Sequence, residues 1–340
     1  PDGRSVYLWS ETWIGVLARE ASGRLRQLKG KVGCLSHRIL RPGCDTMSTP
    51  IAIDLALSPD GRNVYTLNRG VTGVLRRDVA TGALQQVPGV AGCVGRGYPP
   101  GSCTDVRGVG FPRVVFGADG RFAYAVSRTG YPPSGIAVFV RDPLTGLLTQ
   151  LPGPDGCVVS EASGDKRLGC AVVVANDSFT HLHPVPGGRY VIAGGYYGTY
   201  VLRVTSRGAL EPIPPPDGCF SDHRFSFVVG CRPDPDPYAL HIGSRFIYYG
   251  LTAYTVDDAG FHAGRAPAAA LAGLELGALS PRGDTAFLWR GDFIREPSDL
   301  VLVPVAEDGA LLEPAAGGGR SRWRGDPQPL HGTLCRAMRS

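Results

Sequence analysis

The sequence "ALSPDGRNVY" (residues 56–65) contains an Asp-Gly turn between two apolar runs. A turn of this kind joins the two strands of a β-hairpin. The phrase returns as "PDGRSVYL", "ADGRFAYA" and "PGGRYVIA", and in weaker form as "GSRFIYYG" and "PRGDTAFL". The copies lie near residues 1, 59, 118, 186, 243 and 281. Self-similarity at this spacing is the signature of a repeat architecture.

Each repeat contains four short strands in the same order. An apolar run such as "PIAIDLALS" precedes the turn, and an alternating strand such as "NVYTLN" follows it. A third strand such as "GVLRRD" leads through a second Gly turn to a fourth, such as "LQQV". Four antiparallel strands repeated radially form propeller blades, and no stretch has the 3.6-residue period of a helix. We therefore predict an all-β, six-bladed β-propeller of four-stranded antiparallel blades, occupying residues 1–340 as one domain.

The two ends of the chain complete one repeat. The sequence contains six second-to-fourth-strand units but only five internal first strands. Joining the C-terminal "TLCRAMRS" (333–340) to the N-terminal "PDGRSVY" recreates the phrase. We expect the C-terminal strand to pair in the N-terminal blade and close the ring, because closure removes open sheet edges. The alternative is that a first strand lies upstream of Pro1 and that the C-terminal segment is a tail.

Eight of the nine cysteines form four close pairs, each with a Gly directly before its first member. Zinc ligation favours CxxC spacing, which these pairs lack. Local disulfides in an oxidising compartment fit better, and each would contribute roughly 3 kcal/mol. We therefore predict a secreted or periplasmic protein and a free buried thiol at Cys335. The predicted bridges are Cys34–Cys44, Cys93–Cys103, Cys157–Cys170 and Cys219–Cys231.

Charge and hydropathy argue against two classes of partner. The net charge is +5 and the arginines are scattered, so no nucleic-acid partner is expected. No apolar run is long enough for a membrane span, and no signal peptide is present, so any leader would precede Pro1. We expect a monomer.

The phrases "SPDGRNVY", "GVLRRDVATGALQQVPGVAGC" and "VFVRDPLTGLLTQLPGPDGC" resemble the repeats of bacterial lactonase-type propellers, the family with YVTN-like repeats. The resemblance covers the first four repeats well and the last two weakly. It implies a propeller fold and, from family members with lactonase activity, hydrolysis of sugar lactones.

The first strands of the repeats are expected to line the central channel. Polar residues that interrupt their apolar pattern are therefore the site candidates. Aligned on the turn, one position along these strands contains Asp54, Arg113, His181, Leu276 and Arg336. The position two residues later contains Ala56, Val115, His183, Ala278 and Met338. We take Asp54, Arg113, His181 and His183 as catalytic candidates, and the alternative is that such residues only coordinate ordered water.

The sequence "THLHP" places His181 and His183 on the same side of one strand. That spacing can ligate a metal, but no third ligand is identifiable, so we assign no metal and no cofactor. A histidine acting as general base fits better, because the ordinary pKa of imidazole lies near neutrality. Arg113 and Arg336 would stabilise an anionic group or an oxyanion.

Further residues are candidates for substrate binding. The second-to-third-strand loops supply aromatic side chains that could wall a pocket, although ordinary packing between blades would also explain them. Polar residues on first strands supply the others. The substrate-binding candidates are Arg336, His241, Glu275, Trp9, Trp13, Tyr196 and Tyr197.

Two classes of function follow. The first is an enzyme that acts on a small organic molecule in the central funnel, by lactone hydrolysis or by an isomerisation or cyclisation that uses the same groups. The second is a non-catalytic binding propeller that presents its stapled loops to a protein or a glycan. A deep funnel containing the His/Arg cluster favours the enzyme, whereas a plugged channel with outward aromatic loops favours the binder.

Overall fold

The computed structural model is an all-β protein whose short strands are joined by tight turns. One-turn 3₁₀ helices cover Lys31–Gly33, Val90–Gly92, Gly153–Gly156 and Ala269–Leu271. The structure describes residues 2–10, 12–37, 42–49, 54–68, 70–95, 101–108, 112–127, 135–161, 169–173, 179–195, 198–221, 230–233, 240–243, 245–249, 251–280, 282–290, 299–314 and 321–322. Over these ranges, no helix is both long enough and apolar enough to cross a membrane.

The chain forms two compact units. Unit 1 consists of Pro1–Ile213 with His223–Gly230, and unit 2 consists of Pro214–Asp222 with Cys231–Ser340. Each unit is built from small, mainly antiparallel sheets, as the repeated hairpin phrase predicts.

Unit 1 contains three successive sheets and the strands of a fourth. Sheet 1 has β1 (Ser5–Trp9), β2 (Trp13–Arg19), β3 (Leu25–Gln27), β4 (Cys34–His37) and β5 (Asp45–Met47). Sheet 2 has β6 (Asp54–Leu57), β7 (Asn63–Leu67), β8 (Val71–Arg77), β9 (Leu84–Gln86) and β10 (Cys93–Gly95). Sheet 3 has β11 (Pro112–Phe116), β12 (Phe122–Ser127), β13 (Ile136–Arg141), β14 (Leu148–Gln150), β15 (Cys157–Ser160) and β16 (Ala171–Val173). Sheet 4 has β17 (His181–Pro184), β18 (Tyr190–Gly194), β19 (Gly198–Val204) and β20 (Leu210–Pro212).

The predicted fourth strand is divided in two in sheets 1 to 3. The end of the third strand pairs with a short strand such as β3, and its beginning pairs with a second short strand such as β4. A 3₁₀ turn lies between the two pieces, and the second piece begins at the first cysteine of each pair. In sheets 1 and 3 a parallel strand, β5 or β16, is added beyond it. These sheets therefore contain five or six strands instead of the four expected.

A glycine is required before the first cysteine of these pairs. A Cβ at Gly33, Gly92 or Gly156 would overlap the carbonyl oxygen of the residue that directly follows the preceding short strand. The chain can therefore turn back tightly enough to resume pairing only if this residue has no side chain. This close approach explains the repeated Gly-Cys pair.

All four predicted disulfides are confirmed. They join Cys34 to Cys44, Cys93 to Cys103, Cys157 to Cys170 and Cys219 to Cys231. Four disulfides favour a location outside the cytoplasm, because cytosolic thiols are kept reduced. Cys335 lies outside the described residues, and so does the proposed closing strand 333–340, so both remain predictions.

Apolar side chains pack between neighbouring sheets of unit 1. Ile14 and Leu35 of sheet 1 join Val64 and Leu75 of sheet 2 in one buried cluster. A second cluster likewise joins sheet 2 to sheet 3, with residues such as Tyr65 and Phe139. Full burial of side chains of this size contributes roughly 1.5–3 kcal/mol each, so this packing stabilises the contact between neighbouring sheets.

A polar clasp also joins sheet 1 to sheet 2. The Arg77 guanidinium, at the end of β8, contacts both carboxylate oxygens of Asp2 at 3.2 and 2.9 Å. Arg77 Nε donates to the Tyr7 hydroxyl at 2.7 Å, and that hydroxyl donates to the carbonyl of Gly82 at 2.8 Å. Only 2% of the Arg77 side chain is exposed. We call this arrangement the Asp–Tyr–Arg clasp.

The same clasp joins sheet 2 to sheet 3. Arg141, at the end of β13, contacts both oxygens of Asp60 at 3.0 and 2.8 Å and Asn63 Oδ1 at 2.6 Å. Its Nε donates to the Tyr65 hydroxyl at 3.1 Å, which donates to the carbonyl of Gly146 at 2.7 Å. Burial raises the pKa of Tyr65 to about 12 despite the neighbouring Arg141, so its hydroxyl remains a donor. The Asp and Tyr of the turn phrase therefore connect sheet 1 to sheet 2 and sheet 2 to sheet 3.

The clasp is missing between sheets 3 and 4. Val204 occupies the position of the arginine, directly before the turn that ends the third strand. The Tyr124 hydroxyl is buried and has no hydrogen-bond partner among the residues that the structure describes. The ring of Phe122 lies against Gly208, at the position where Asn63 approaches its glycine in the preceding interface.

Unit 2 has two four-stranded sheets and a short parallel pair. The pair is β21 (Cys219–Ser221) and β22 (Arg232–Pro233). Sheet 5 has β23 (Leu240–Ile242), β24 (Ile247–Tyr249), β25 (Thr252–Asp257) and β26 (Gly260–Ala263). Sheet 6 has β27 (Glu275–Leu279), β28 (Thr285–Arg290), β29 (Asp299–Pro304) and β30 (Ser321–Arg322). One buried cluster, including Tyr248 and Leu288, joins the two sheets.

Candidate functional site

Three catalytic candidates lie at one register position on successive first strands of unit 1. Asp54 on β6 is opposite Leu67, Arg113 on β11 is opposite Val126, and His181 on β17 is opposite Gly194. Each partner is the same number of residues beyond its turn phrase, so the predicted alignment of these three residues is confirmed. Strand β17 also lies next to β11.

His183 and His241 occupy the neighbouring register position in their respective sheets. His183 lies opposite Ile192, and His241 on β23 lies opposite Tyr248. Ile192 and Tyr248 each occupy, on the second strand of their own sheet, the position that Tyr65 occupies on β7 of sheet 2. The sequence alone does not align His241 with the other first-strand residues, because the repeat around residue 243 is short. The strand pairing in sheet 5 supplies this alignment.

A β-bulge corrects the predicted position of Leu276. The register of β27 against β28 shifts between Leu276 and Ala278, so Glu275 lies opposite Trp289. Glu275, not Leu276, therefore takes the register position of Asp54, Arg113 and His181. Leu276 is buried in the apolar cluster of unit 2. Bulges re-aim side chains in this way because one strand gains a residue without a partner.

The bulge also gives Glu275 a fixed partner. Trp289 Nε1 donates to Glu275 Oε2 at 3.0 Å. The indole ring lies over Gly277, where any Cβ would overlap it. The bulge, the glycine and the tryptophan thus form one local arrangement that holds an otherwise exposed carboxylate.

His181 is exposed and has a buried neighbour. Its Nδ1 lies 2.8 Å from the hydroxyl of Thr180, a residue only 3% exposed. That hydroxyl is also 3.4 Å from the carbonyl of Gly194 on the paired strand. Sequence reasoning missed Thr180, since a threonine beside a histidine gives no signal until the neighbouring strand is placed.

The other polar candidates differ in their surroundings. The Asp54 carboxylate accepts a hydrogen bond from the Leu55 amide at 2.8 Å and is half-buried. Burial lowers the pKa of His241, and a hydrogen bond with the Leu276 backbone offsets only part of this shift. His241 is therefore neutral at pH 7, because burial disfavours the charged ring.

The two predicted tryptophans have different environments. Trp9, at the end of β1, is 45% exposed. Trp13 packs against the cluster between sheets 1 and 2 and covers Gly15. Trp13 therefore has a packing role, whereas Trp9 offers an accessible aromatic face.

Four predicted site groups cannot be located. Tyr196, Tyr197 and Arg336 lie outside the described residues, and so does the side chain of Arg113, whose backbone belongs to β11. Within the described part of the chain, no three His, Cys, Asp or Glu side chains converge as a metal site would require.

The chain is similar in fold to solved structures but not in sequence to known families. No family model matches it, and no curated protein matches it. Among solved structures it is similar to a candidate 6-phosphogluconolactonase of Bacteroides uniformis, with a TM-score of 0.52, 16% identity, and coverage of 94% of this chain and 83% of that one.

Two further solved structures are similar at lower scores. The periplasmic gluconolactonase PpgL of Pseudomonas aeruginosa has a TM-score of 0.40 and 16% identity, covering 93% of this chain and 67% of that one. The beta-propeller domain of Cps50 (Swd1) from Myceliophteria thermophila has a TM-score of 0.41 and 11% identity, covering 94% and 84%. The chain is an all-β protein of several small sheets, and its fold is similar to that of the Bacteroides uniformis structure.

Proposed function

We propose that this protein is a propeller hydrolase that opens small lactones, with His181 as its general base. The observation that carries the proposal is the register of the first strands in unit 1. An imidazole on β17 and a guanidinium-bearing residue on the adjacent β11 occupy equivalent positions, with Asp54 at the same step of β6. Packing alone does not require three ionisable residues at one register position.

We also propose a specific architecture for the whole chain. In this proposal the six sheets are the blades of a single six-bladed ring, closed by strand 333–340 beside β1. The protein would act outside the cytoplasm, secreted or periplasmic, as a monomer. The four disulfides support this location.

The proposed chemistry is general-base hydrolysis. His181 takes a proton from water as the water oxygen bonds to the lactone carbonyl carbon. Arg113 stabilises the negative charge that develops on the carbonyl oxygen. The ring C–O bond then breaks, and the ring oxygen receives the proton held by His181. The product is a hydroxy acid, which releases one proton to solvent at neutral pH.

The remaining candidate residues are proposed to bind the substrate or to transfer a second proton. His183, two residues along β17, is the alternative acid or base, and Asp54 would orient an imidazole or a substrate hydroxyl. Arg336, His241, Glu275, Trp9, Trp13, Tyr196 and Tyr197 remain proposed substrate-binding residues, although the packing of Trp13 weakens its case.

Titration of the released acid tests the proposal. With δ-gluconolactone and simpler δ- and γ-lactones as substrates, His181→Gln should lower kcat by about a hundredfold or more, the contribution expected of a general base. His262→Gln is the control, because His262 is an exposed residue of β26 paired with Asp257. Full activity in both His181→Gln and His183→Gln would exclude this strand from the chemistry. Absence of turnover with every lactone would instead favour the non-catalytic binding function.

A further inference from the structure

The Thr180 hydroxyl bridges two groups that compete for its single proton. It lies 2.8 Å from His181 Nδ1 and 3.4 Å from the Gly194 carbonyl oxygen. The Thr180 amide also donates to that carbonyl at 2.9 Å, so the backbone is fixed at this point. Thr180 is buried, and its branched β-carbon restricts the χ1 angle.

Only one arrangement of protons makes both hydrogen bonds. A carbonyl can only accept, so the contact with Gly194 requires the hydroxyl proton. The threonine oxygen must then accept from a proton on His181 Nδ1. The reverse arrangement, with the hydroxyl donating to Nδ1, would leave the hydroxyl and Gly194 oxygens facing each other without a proton.

We infer that Thr180 is a positioning residue that holds neutral His181 in the Nδ1–H tautomer. The other nitrogen, Nε2, then carries the lone pair, because a neutral imidazole has one protonated nitrogen and one acceptor. Nε2 is the atom that would take the proton from water, so the catalytic meaning of the tautomer rests on the proposed function. The tautomer itself does not depend on any activity.

The tautomer can be read directly by ¹⁵N NMR of the histidine rings of the full chain at a pH where His181 is neutral. Loss of the signal in His181→Gln assigns the ring. We expect an unprotonated Nε2 in the parent protein. Thr180→Val, which replaces the hydroxyl by a methyl group, should give a mixture of tautomers, whereas Thr180→Ser should retain the parent pattern. Thr180→Ala is a second hydroxyl-free variant should the valine variant fold poorly.

A matched control separates this effect from the general loss of a buried hydroxyl. Thr66 is also buried, and its hydroxyl accepts from the Gly73 amide. Thr66→Val should leave the His181 spectrum unchanged. An Nε2-protonated ring in the parent protein, or an unchanged tautomer in both Thr180→Val and Thr180→Ala, would overturn the inference.

Kinetics supply the second measurement. With a lactone that the parent turns over, Thr180→Val should lower kcat by about ten- to a hundredfold, as is common for partners that orient a functional histidine. KM should change much less, and Thr180→Ser should recover most of the loss. A tautomer shift without any change in kcat would overturn the positioning role. Absence of turnover in the parent would refute the hydrolase proposal while the NMR result still decided the tautomer.

Discussion

The interface between sheets 2 and 3 and the interface between sheets 3 and 4 use the same positions of the repeat with different chemistry. In the first, Arg141 brings together Asp60, Tyr65 and Asn63 in a satisfied buried network. In the second, Val204 stands at the arginine position and Phe122 at the asparagine position.

The difference shows that the strand repeat and the polar clasp are separable. Both interfaces keep the turn, the strand order and a buried tyrosine, yet only one of them provides that tyrosine with partners. Apolar contact is enough to stack two sheets, whereas a clasp is stable only if every member is present. In the apolar interface the Tyr124 hydroxyl is therefore buried without a partner in the described part of the chain.

Arg141→Ala should have the largest effect on the clasped interface between sheets 2 and 3. It removes the ion pair with Asp60, the bond to Tyr65 and the packing of a side chain that is only 2% exposed. We expect the free energy of unfolding to fall by roughly 3 kcal/mol, measured by chemical denaturation. Arg203→Ala is the control, because Arg203 is 44% exposed in its pair with Glu211 and should cost less than about 1 kcal/mol. Equal effects of the two substitutions would show that the clasp does not hold the interface.

Acid should weaken the clasped interfaces. Burial alone would raise the pKa of Asp60, but hydrogen bonds from Ser58 and Arg141 outweigh it and hold the pKa below its usual value of 3.8. The ionised carboxylate therefore stabilises the fold above that pH, and the stabilisation is lost as pH falls through the lower folded-state pKa.

Unfolding measured between pH 6 and pH 3 tests this dependence. The parent should lose stability more steeply than Asp60→Asn, which has no carboxylate to protonate. When Arg141 is already replaced by alanine, Asp60→Asn should change the pH dependence of the free energy of unfolding less than it does in the parent. Identical slopes for the parent and Asp60→Asn would contradict the coupling.

Two tyrosine substitutions compare the interfaces through the loss of a single hydroxyl group. Tyr65→Phe removes the bonds to Gly146 and Arg141, so the free energy of unfolding should fall by about 1–2 kcal/mol. Tyr124→Phe removes a buried hydroxyl that has no partner among the described residues, so stability should stay the same or rise slightly. A loss at Tyr124 as large as that at Tyr65 would reveal an unrecognised partner at the third interface.

The hairpins and the disulfides could be predicted from the sequence because each depends on residues that are close along the chain. Turn residues and alternating apolar residues act over a few positions, so the hairpins around Gly61 and Gly120 could be placed directly. The disulfides were predictable for the same reason, since each joins cysteines only 10 to 13 residues apart.

The composition of the site was only partly predictable. The equivalence of Asp54, Arg113 and His181 follows from the fixed spacing between turn and strand. The bulge at Gly277 breaks that spacing, and one extra residue exchanges Leu276 for Glu275. No local pattern predicts the bulge, and the Trp289 ring that lies against Gly277 comes from the paired strand.

The all-β repeat, the order of the first three strands of each repeat and the four disulfides follow from the sequence alone, because they depend on residues close along the chain. The contacts that join one sheet to the next, and the hydroxyl that meets His181 Nδ1, depend on the tertiary structure. Asp60 and Arg141 are 81 residues apart, and Thr180 meets its carbonyl partner only once β18 pairs with β17. Hydrogen bonds require a specific distance and direction between both partners, so they are settled only when the sheets are in place.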